Sequence, residues 1–432
     1  MQSAIQLENT TTVQHQLNQK IKALKPSPTL SINERSLELM KAGKKVYRLG
    51  FGQSPFPVPT EIVEKLQQHA HEKDYLPVKG LYELRQAVAN FNQRTLGLTY
   101  TAEDVLVAPG SKMLIFNLQL ALDADLLLPA PSWVSYHPQG ILTQKKVTWI
   151  DTKEADGWRL TPQALATVCE QESNQSKVLI LNYPNNPTGT TYNVAQLQAL
   201  AQVARQYNII IISDEIYGEI ADNHASLAQF YPEGTIISGG LSKWCGAGGW
   251  RLGTFTFPKN LRWLLDAMAT IGSETYSTAS APIQYAAITA FNGSPTLSAY
   301  INASRRIMKT IGNYVHQQLS RHDVTLPLPE GGFYLFPNFE NYRTALAKKG
   351  IVNSIQLCEA LLEATGVALL PSIAFGRPLE EFTARLAYVD FNGVKALDYA
   401  MNHQNLGMDF IEQCCPNIIG SMKAVQKWLK EL

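Results

Sequence analysis

A chain of 432 residues exceeds what one hydrophobic core usually supports, so the sequence predicts at least two domains. Its 37 basic residues nearly cancel its 36 acidic residues, which argues against binding to nucleic acid or anionic membrane through net charge. No stretch approaches the roughly 18 apolar residues of a membrane span. Any anion must therefore be held by a local site.

The five cysteines are scattered, odd in number and without a C-x-x-C pair, so neither a disulfide framework nor a zinc site is expected. His69 and His71 form an H-x-H without further ligands nearby in the sequence, so no metal is expected. The polar N-terminus lacks the basic start and apolar stretch of a signal peptide. Together with free thiols, this favours a reducing, cytoplasmic location.

In chain order, residues 1–18 are polar and unpatterned, which predicts a flexible arm. Residues 19–58 contain an amphipathic helix that stops near Gly43, and we assign them to a small domain. Residues 59–320 are expected to form a large domain. Residues 321–432, where short strands are joined by longer helices, are expected to complete the smaller, α+β domain.

The large domain alternates short apolar runs with helical stretches. The predicted strands are DVLVA (104–108), DLLLP (125–129), KVTWI (146–150), KVLILNY (177–183), NIIIIS (208–213), TIISG (235–239) and TFTF (254–257). Runs that are apolar on both faces are typical of buried parallel strands. The alternation predicts an α/β fold with a doubly wound, mostly parallel sheet, whose ligands gather at the carboxyl ends of the strands.

Polar residues follow several of these strands directly. They are Ser111 and Lys112 after the first strand, Asn186 in the turn after 177–183, Asp214 and Tyr217 after 208–213, Lys243 after 235–239, and Arg251 before 254–257. Because parallel strands end at one edge of a sheet, these side chains are expected to converge on a single crevice.

Three stretches resemble the motifs of class I/II aminotransferases of pyridoxal-phosphate fold type I: NYPNNPTG (182–189), SDEIYGEI (213–220) and SGGLSKWCGAGGWRLG (238–253). Further similar stretches, in the expected order, are GFGQSPFPVP (50–59), YLPVKGLYELRQAV (75–88), APGSKM (108–113), PSWVSY (131–136), PEGGFYLFP (329–337) and ARLAYVDF (384–391). The resemblance spans about residues 20–395. It implies fold type I, pyridoxal 5′-phosphate as cofactor, and a homodimer with shared active sites.

The resemblance makes Lys243 the residue that forms a Schiff base with the cofactor and then moves a proton. Asp214 is expected to face the pyridine nitrogen and keep the ring protonated. Tyr217 and Asn186 are expected to donate to the phenolic oxygen of the cofactor. Trp133 matches the aromatic residue that stacks on the ring, with a structural role as the alternative.

For the phosphate, the resemblance implies the helix start at Gly110, Ser111 and Lys112, with Arg251 as a forked partner. Gly240 stands where the family often has serine, so Ser242 or Ser238 is a candidate replacement. Tyr75 resembles the tyrosine that reaches the phosphate from the partner subunit.

Arg385 matches the arginine that binds the substrate α-carboxylate, and Gly52 is expected beside the substrate. The PGSK stretch is similar to the bacterial-type aspartate aminotransferase subgroup, where the lysine matching Lys112 meets the distal carboxylate of acidic substrates. His137, shortly after Trp133, is left open. The expected reaction moves the α-amino group of an aspartate- or glutamate-like amino acid to a 2-oxo acid by a ping-pong mechanism.

Other classes of protein would share part of this pattern of residues. A C–S lyase or another eliminating enzyme of the same fold would also carry Lys243, Asp214 and Arg251. A catalytically silent regulator usually adds a DNA-binding module, for which the chain has little room. A nicotinamide enzyme would need a G-x-G-x-x-G after the first strand, and none is present.

Overall fold

A computed structural model describes residues 28–171 and 176–432. The arm predicted at residues 1–18 lies outside the described residues. In the described part, no helix is both long enough and apolar enough to cross a bilayer.

The larger sheet has seven strands in the order β1-β7-β6-β5-β4-β2-β3. The strands are β1 Val105–Ala108, β2 Asp125–Ala130, β3 Val147–Asp151, β4 Lys177–Asn182, β5 Ile210–Asp214, β6 Thr235–Gly240 and β7 Gly253–Thr256. Strands β2 to β6 run parallel, and β7 lies antiparallel between β1 and β6. The α/β fold with a mostly parallel sheet is confirmed.

The register of the central strands aligns the functional side chains. Asn182 lies opposite Asp214, and both end their strands; Asp214 lies opposite Ser238, two residues before the end of β6. Because β4, β5 and β6 are buried almost throughout, their apolar runs fix this register from both faces.

Helices cover the larger sheet and connect its strands. They are α2 Thr60–Gln68, α3 Tyr82–Leu96, α4 Ser111–Ala121, α5 Tyr136–Leu142, α6 Pro162–Gln171, α7 Val194–Gln206, α8 Arg262–Thr275, α9 Ala281–Asn292 and α10 Pro295–Ser320. Asn193 caps α7: its side chain accepts a hydrogen bond from the backbone N–H of Gln196, and the Gln196 side chain accepts one from the backbone N–H of Asn193. Such caps satisfy backbone groups that the helix start leaves free.

A three-stranded antiparallel sheet lies near the C-terminal end, with β8 Tyr334–Leu335, β9 Leu370–Pro371 and β10 Ala384–Ala387 in the order β8-β10-β9. Its strands are shorter than the sequence suggested. The helices of this region are α1 Pro28–Lys41, α11 Arg343–Lys348, α12 Ser354–Thr365, α13 Gly393–Asn402, α14 Met408–Cys414 and α15 Pro416–Lys430.

One continuous hydrophobic cluster includes Val107 of the larger sheet and Leu386 of the smaller one. The two sheets therefore share one hydrophobic core. The domain boundaries predicted at residues 58 and 320 remain a proposal.

Candidate active site

A cavity of about 740 Å³ opens where the strands of the larger sheet end. Its lining includes the predicted site residues Gly52, Ser111, Lys112, Trp133, Asn186, Asp214, Tyr217, Ser242, Lys243, Arg251 and Arg385. Gly110 is the N-cap residue of α4, next to the lining residue Ser111. Gly110, Ser238 and Tyr75 are not part of the lining, and 89% of the surface of Tyr75 is exposed.

Lys243 follows β6 and extends into the cavity. Its ammonium nitrogen donates to the carbonyl oxygen of Gly52 at 2.6 Å and lies 5.5 Å from the Tyr217 ring centroid. Burial lowers the pKa of Lys243 to about 8, and the positive charge of Arg385 contributes. A lower pKa increases the fraction of neutral amine near pH 7, and the neutral amine is the nucleophile.

Asp214 ends β5 and is 3% exposed. Its carboxylate accepts hydrogen bonds from the Tyr136 hydroxyl at 2.5 Å and from the Ser238 hydroxyl at 3.0 Å. Burial raises the pKa of Asp214, whereas these hydrogen bonds lower it. No salt bridge satisfies Asp214 in the described part of the chain, so its charge is available to a cationic group in the cavity.

Arg385, on β10, is 4% exposed and lies between the rings of Tyr334 and Phe375, 4.9 and 5.2 Å from their centroids. It donates to the Asn186 side chain at 3.1 Å and to the carbonyl of Gly50 at 2.6 Å.

The Nε atom of Arg385 is buried without a hydrogen-bond partner, and burial lowers the pKa of this guanidinium. Among the described residues it has no carboxylate partner. A buried cation in this state is suited to binding a carboxylate, which would supply both a countercharge and acceptors.

A second group of cations surrounds the start of α4. Arg251 has a left-handed backbone with φ of 55° and donates to the Gly248 carbonyl at 2.9 Å. A Cβ atom on Gly110 would lie 2.3 Å from the Arg251 guanidinium, so a glycine is needed for this close approach. The first N–H groups of α4 have no partner within the helix and add to the positive potential.

Lys112 lies in the first turn of α4, with its ammonium 4.9 Å from the Trp133 ring centroid. Burial lowers the pKa of Lys112, and the neighbouring charge of Arg251 contributes. Across the described ranges no carboxylate pairs with Lys112. Like charges held together without a counterion favour a bound anion.

Gly240 has φ of 152°, and an added Cβ would lie 2.7 Å from the carbonyl oxygen of Leu252. A serine would therefore force the backbone to move, which explains the glycine at this position. Ser238, considered as a replacement phosphate contact, donates to Asp214 instead. Ser242 lines the cavity and remains the candidate.

His137 and His69 do not line this cavity. His137 packs against Trp149 with ring centroids 5.4 Å apart. His69 contacts Glu72 at 3.4 Å and stacks on Tyr285. Within the described residues no group of three or more histidine, cysteine or acidic side chains is arranged to hold a metal.

Sequence reasoning missed three side chains that support the site. Tyr136 bonds Asp214, the Tyr334 hydroxyl lies 2.9 Å from that of Tyr217, and Phe375 packs on Arg385. A signal existed for Tyr136, which belongs to the same PSWVSY motif as Trp133. Phe375 ends a short 3-10 helix, Ser372–Phe375, and had no local signal in the sequence.

These residues fit pyridoxal 5′-phosphate. Lys243 offers an amine of lowered pKa to an aldehyde, and Asp214 offers a buried carboxylate to a protonated ring nitrogen. Arg251 and the start of α4 offer a phosphate site. Together with the sheet order, this arrangement defines a pyridoxal-phosphate enzyme of fold type I.

Residues 44–388 match the family described as aminotransferase class I and II. The chain is 33% identical to an aspartate aminotransferase of Geobacillus stearothermophilus, over 84% of this chain and 92% of that protein. It is 30% identical to an asparagine–oxo-acid transaminase of Streptococcus mutans, with the same two coverages.

The aspartate aminotransferase of Thermus thermophilus with maleate superposes with a TM-score of 0.79 at 27% identity, covering 90% of this chain and 98% of that one. The chain belongs to the class I and II aminotransferases, and it is a transferase that uses pyridoxal 5′-phosphate. The eliminating activity raised as an alternative is not favoured by these comparisons.

Proposed function

We propose that this aminotransferase acts on dicarboxylic L-amino acids, with aspartate or glutamate as amino donor and a 2-oxo acid as acceptor. The observation that carries the proposal is a pair of cations, Lys112 and Arg385, that line one cavity without carboxylate partners in the described ranges. A substrate with two carboxylates would satisfy both charges. The relatives named aspartate aminotransferase support this substrate class.

When bound, pyridoxal phosphate supplies an aldehyde that condenses with amines and a protonated ring that accepts electrons from the substrate Cα. Lys243 would hold the cofactor through its amine, and the same amine, when free, would carry a proton to and from the substrate. The Gly52 carbonyl accepts a hydrogen bond from this amine at 2.6 Å and orients it.

The other residues bind and orient. Arg385 binds the substrate α-carboxylate. Its guanidinium is oriented by hydrogen bonds to the Asn186 side chain and to the Gly50 carbonyl. Asp214 would keep the ring nitrogen protonated, and Tyr217 and Asn186 are assigned to the phenolic oxygen. Trp133 would stack on the ring. Arg251, Gly110, Ser111 and Ser242 are assigned to the phosphate.

Lys112→Ala is expected to raise KM for L-aspartate by about 10- to 100-fold, since a hydrogen bond to a charged group contributes roughly 1.5–3 kcal/mol. KM for L-alanine should change little, because alanine has no distal carboxylate. Single-turnover half-reactions of the cofactor-loaded enzyme with each donor, without an acceptor, measure the difference. Lys423→Ala, at an exposed lysine of α15, is the control.

Equal losses with aspartate and alanine would contradict the substrate assignment and place Lys112 on the phosphate side. The measured dissociation constant for pyridoxal phosphate distinguishes a contact with the substrate from a contact with the phosphate. Loss of a phosphate contact would weaken cofactor binding as well.

The proposal includes a homodimer in which Tyr75 of each subunit completes the site of its partner. Tyr75 is 89% exposed and lies outside the cavity of its own chain, which leaves its hydroxyl free to serve another copy. A cytoplasmic location is also proposed, supported by the buried thiols of Cys245, Cys358, Cys414 and Cys415, none of which forms a disulfide.

Tyr75→Ala and Lys243→Ala subunits, each poorly active alone, are expected to regain activity when mixed and allowed to exchange. Random pairing makes half of the dimers hybrid, each with one intact site, so about a quarter of the wild-type activity should return. Tyr82→Ala, at another exposed tyrosine, should remain active without mixing. Absence of recovery in a mixture shown to contain hybrids would contradict shared sites.

A further inference from the structure

Tyr136 is a fully buried side chain at the start of α5, and it lines the active-site cavity. Neither the sequence motifs nor the proposed mechanism gives it a task. The Tyr136 side chain contacts two residues with proposed roles toward the cofactor, Asp214 and Trp133.

The first contact is the hydroxyl of Tyr136, which donates to the Asp214 carboxylate at 2.5 Å. The other carboxylate oxygen of Asp214 accepts from Ser238 at 3.0 Å, so the two donors fix the plane of the carboxylate. Burial raises the pKa of Tyr136 well above its usual range, and the Asp214 charge contributes. Tyr136 is therefore a neutral donor that orients Asp214 without cancelling its charge.

The second contact is made by the ring of Tyr136. It packs edge-on against the indole of Trp133, with centroids 5.2 Å apart and an interplanar angle of 81°. This geometry is the favourable one for aromatic pairs. One rigid side chain thus touches both the residue assigned to the ring nitrogen and the residue assigned to the ring face.

We propose that Tyr136 is a positioning residue that fixes Asp214 and Trp133 relative to each other. The contact of Asp214 with the ring nitrogen of the cofactor and the contact of Trp133 with the face of that ring then form together. The inference rests on the proposed role of Asp214 toward the cofactor. The hydroxyl of Tyr136 orients Asp214, and the ring of Tyr136 orients Trp133. Substitutions can remove the hydroxyl alone or the whole ring, so the two effects can be measured separately.

The test is a double-mutant cycle read out as the dissociation constant for pyridoxal phosphate. Tyr136→Phe is expected to weaken cofactor binding about tenfold in the wild-type background and hardly at all in an Asp214→Ala background, because coupled residues are non-additive. Tyr192→Phe removes another buried hydroxyl, 2.9 Å from the Leu160 backbone nitrogen and away from the cavity, and should leave cofactor binding unchanged.

The visible circular dichroism of the bound cofactor tests whether the ring of Tyr136 positions Trp133. Tyr136→Phe keeps the contact with Trp133 and should keep this signal, whereas Tyr136→Leu removes the contact and should alter it. An equal loss of affinity in both backgrounds, or none in the wild type, would overturn the inference. If Asp214→Ala alone leaves affinity unchanged, the failure lies with the proposed role of Asp214.

Discussion

Lys243→Ala is expected to abolish the visible absorbance of lysine-bound cofactor and to lower kcat/KM by at least about 10⁴-fold. The substitution removes the covalent anchor and the proton carrier at once, and positioned acid–base groups alone contribute roughly 10²–10⁴-fold. Absorbance spectra and the rate of amino transfer from L-glutamate to oxaloacetate measure both effects.

Borohydride treatment provides the decisive comparison for this variant. Wild-type enzyme should retain cofactor covalently after reduction and dialysis, as should the exposed-lysine variant Lys423→Ala. A Lys243→Ala protein that stayed yellow and still became covalently labelled would show that a different lysine holds the cofactor.

Asp214→Ala is expected to lower kcat by about 10²–10³-fold, the usual cost of removing one preorganised electrostatic group from an active site. Asp214 has only neutral donors as partners, so its charge is directed at the cavity. Without it the ring nitrogen loses the countercharge that keeps it protonated. Single-turnover conversion with L-glutamate, followed by absorbance, measures the chemical step.

Asp222→Ala is the matched control, since Asp222 is an exposed aspartate paired with Lys309 on the surface. Its kinetics should match the wild type. An Asp214→Ala enzyme with an unchanged single-turnover rate would contradict the assignment of this carboxylate to the ring nitrogen.

Much of the fold was predictable because the central strands carry apolar runs on both faces, as with KVLILNY before Asn186. Strand ends are fixed by such runs, and the polar residues that follow them must then meet at one edge. Lys243, Asp214 and Arg251 were found in this way, although their roles toward the cofactor stay proposals.

The supporting residues were harder to find because they depend on tertiary packing. Nothing near Gly240 in the sequence indicates that Leu252 crowds it, and Phe375 contacts Arg385 from the 3-10 helix Ser372–Phe375. Strands β8 and β9 are only two residues long, so their local pattern resembles that of loops. The proposed contribution of Tyr75 to a partner subunit came from the family resemblance alone, because contacts within one chain carry no information about a second chain.

The hydrogen bond from Arg385 to the Gly50 carbonyl joins residues 335 positions apart in the chain. At a synthesis rate of roughly 5–20 residues per second, about 20–70 s pass between the emergence of these two residues. Lys243 and the start of α4 emerge well before Arg385. Every strand of the larger sheet therefore leaves the ribosome before the residue proposed to bind the substrate α-carboxylate, so competence for the amino-acid substrate would come last.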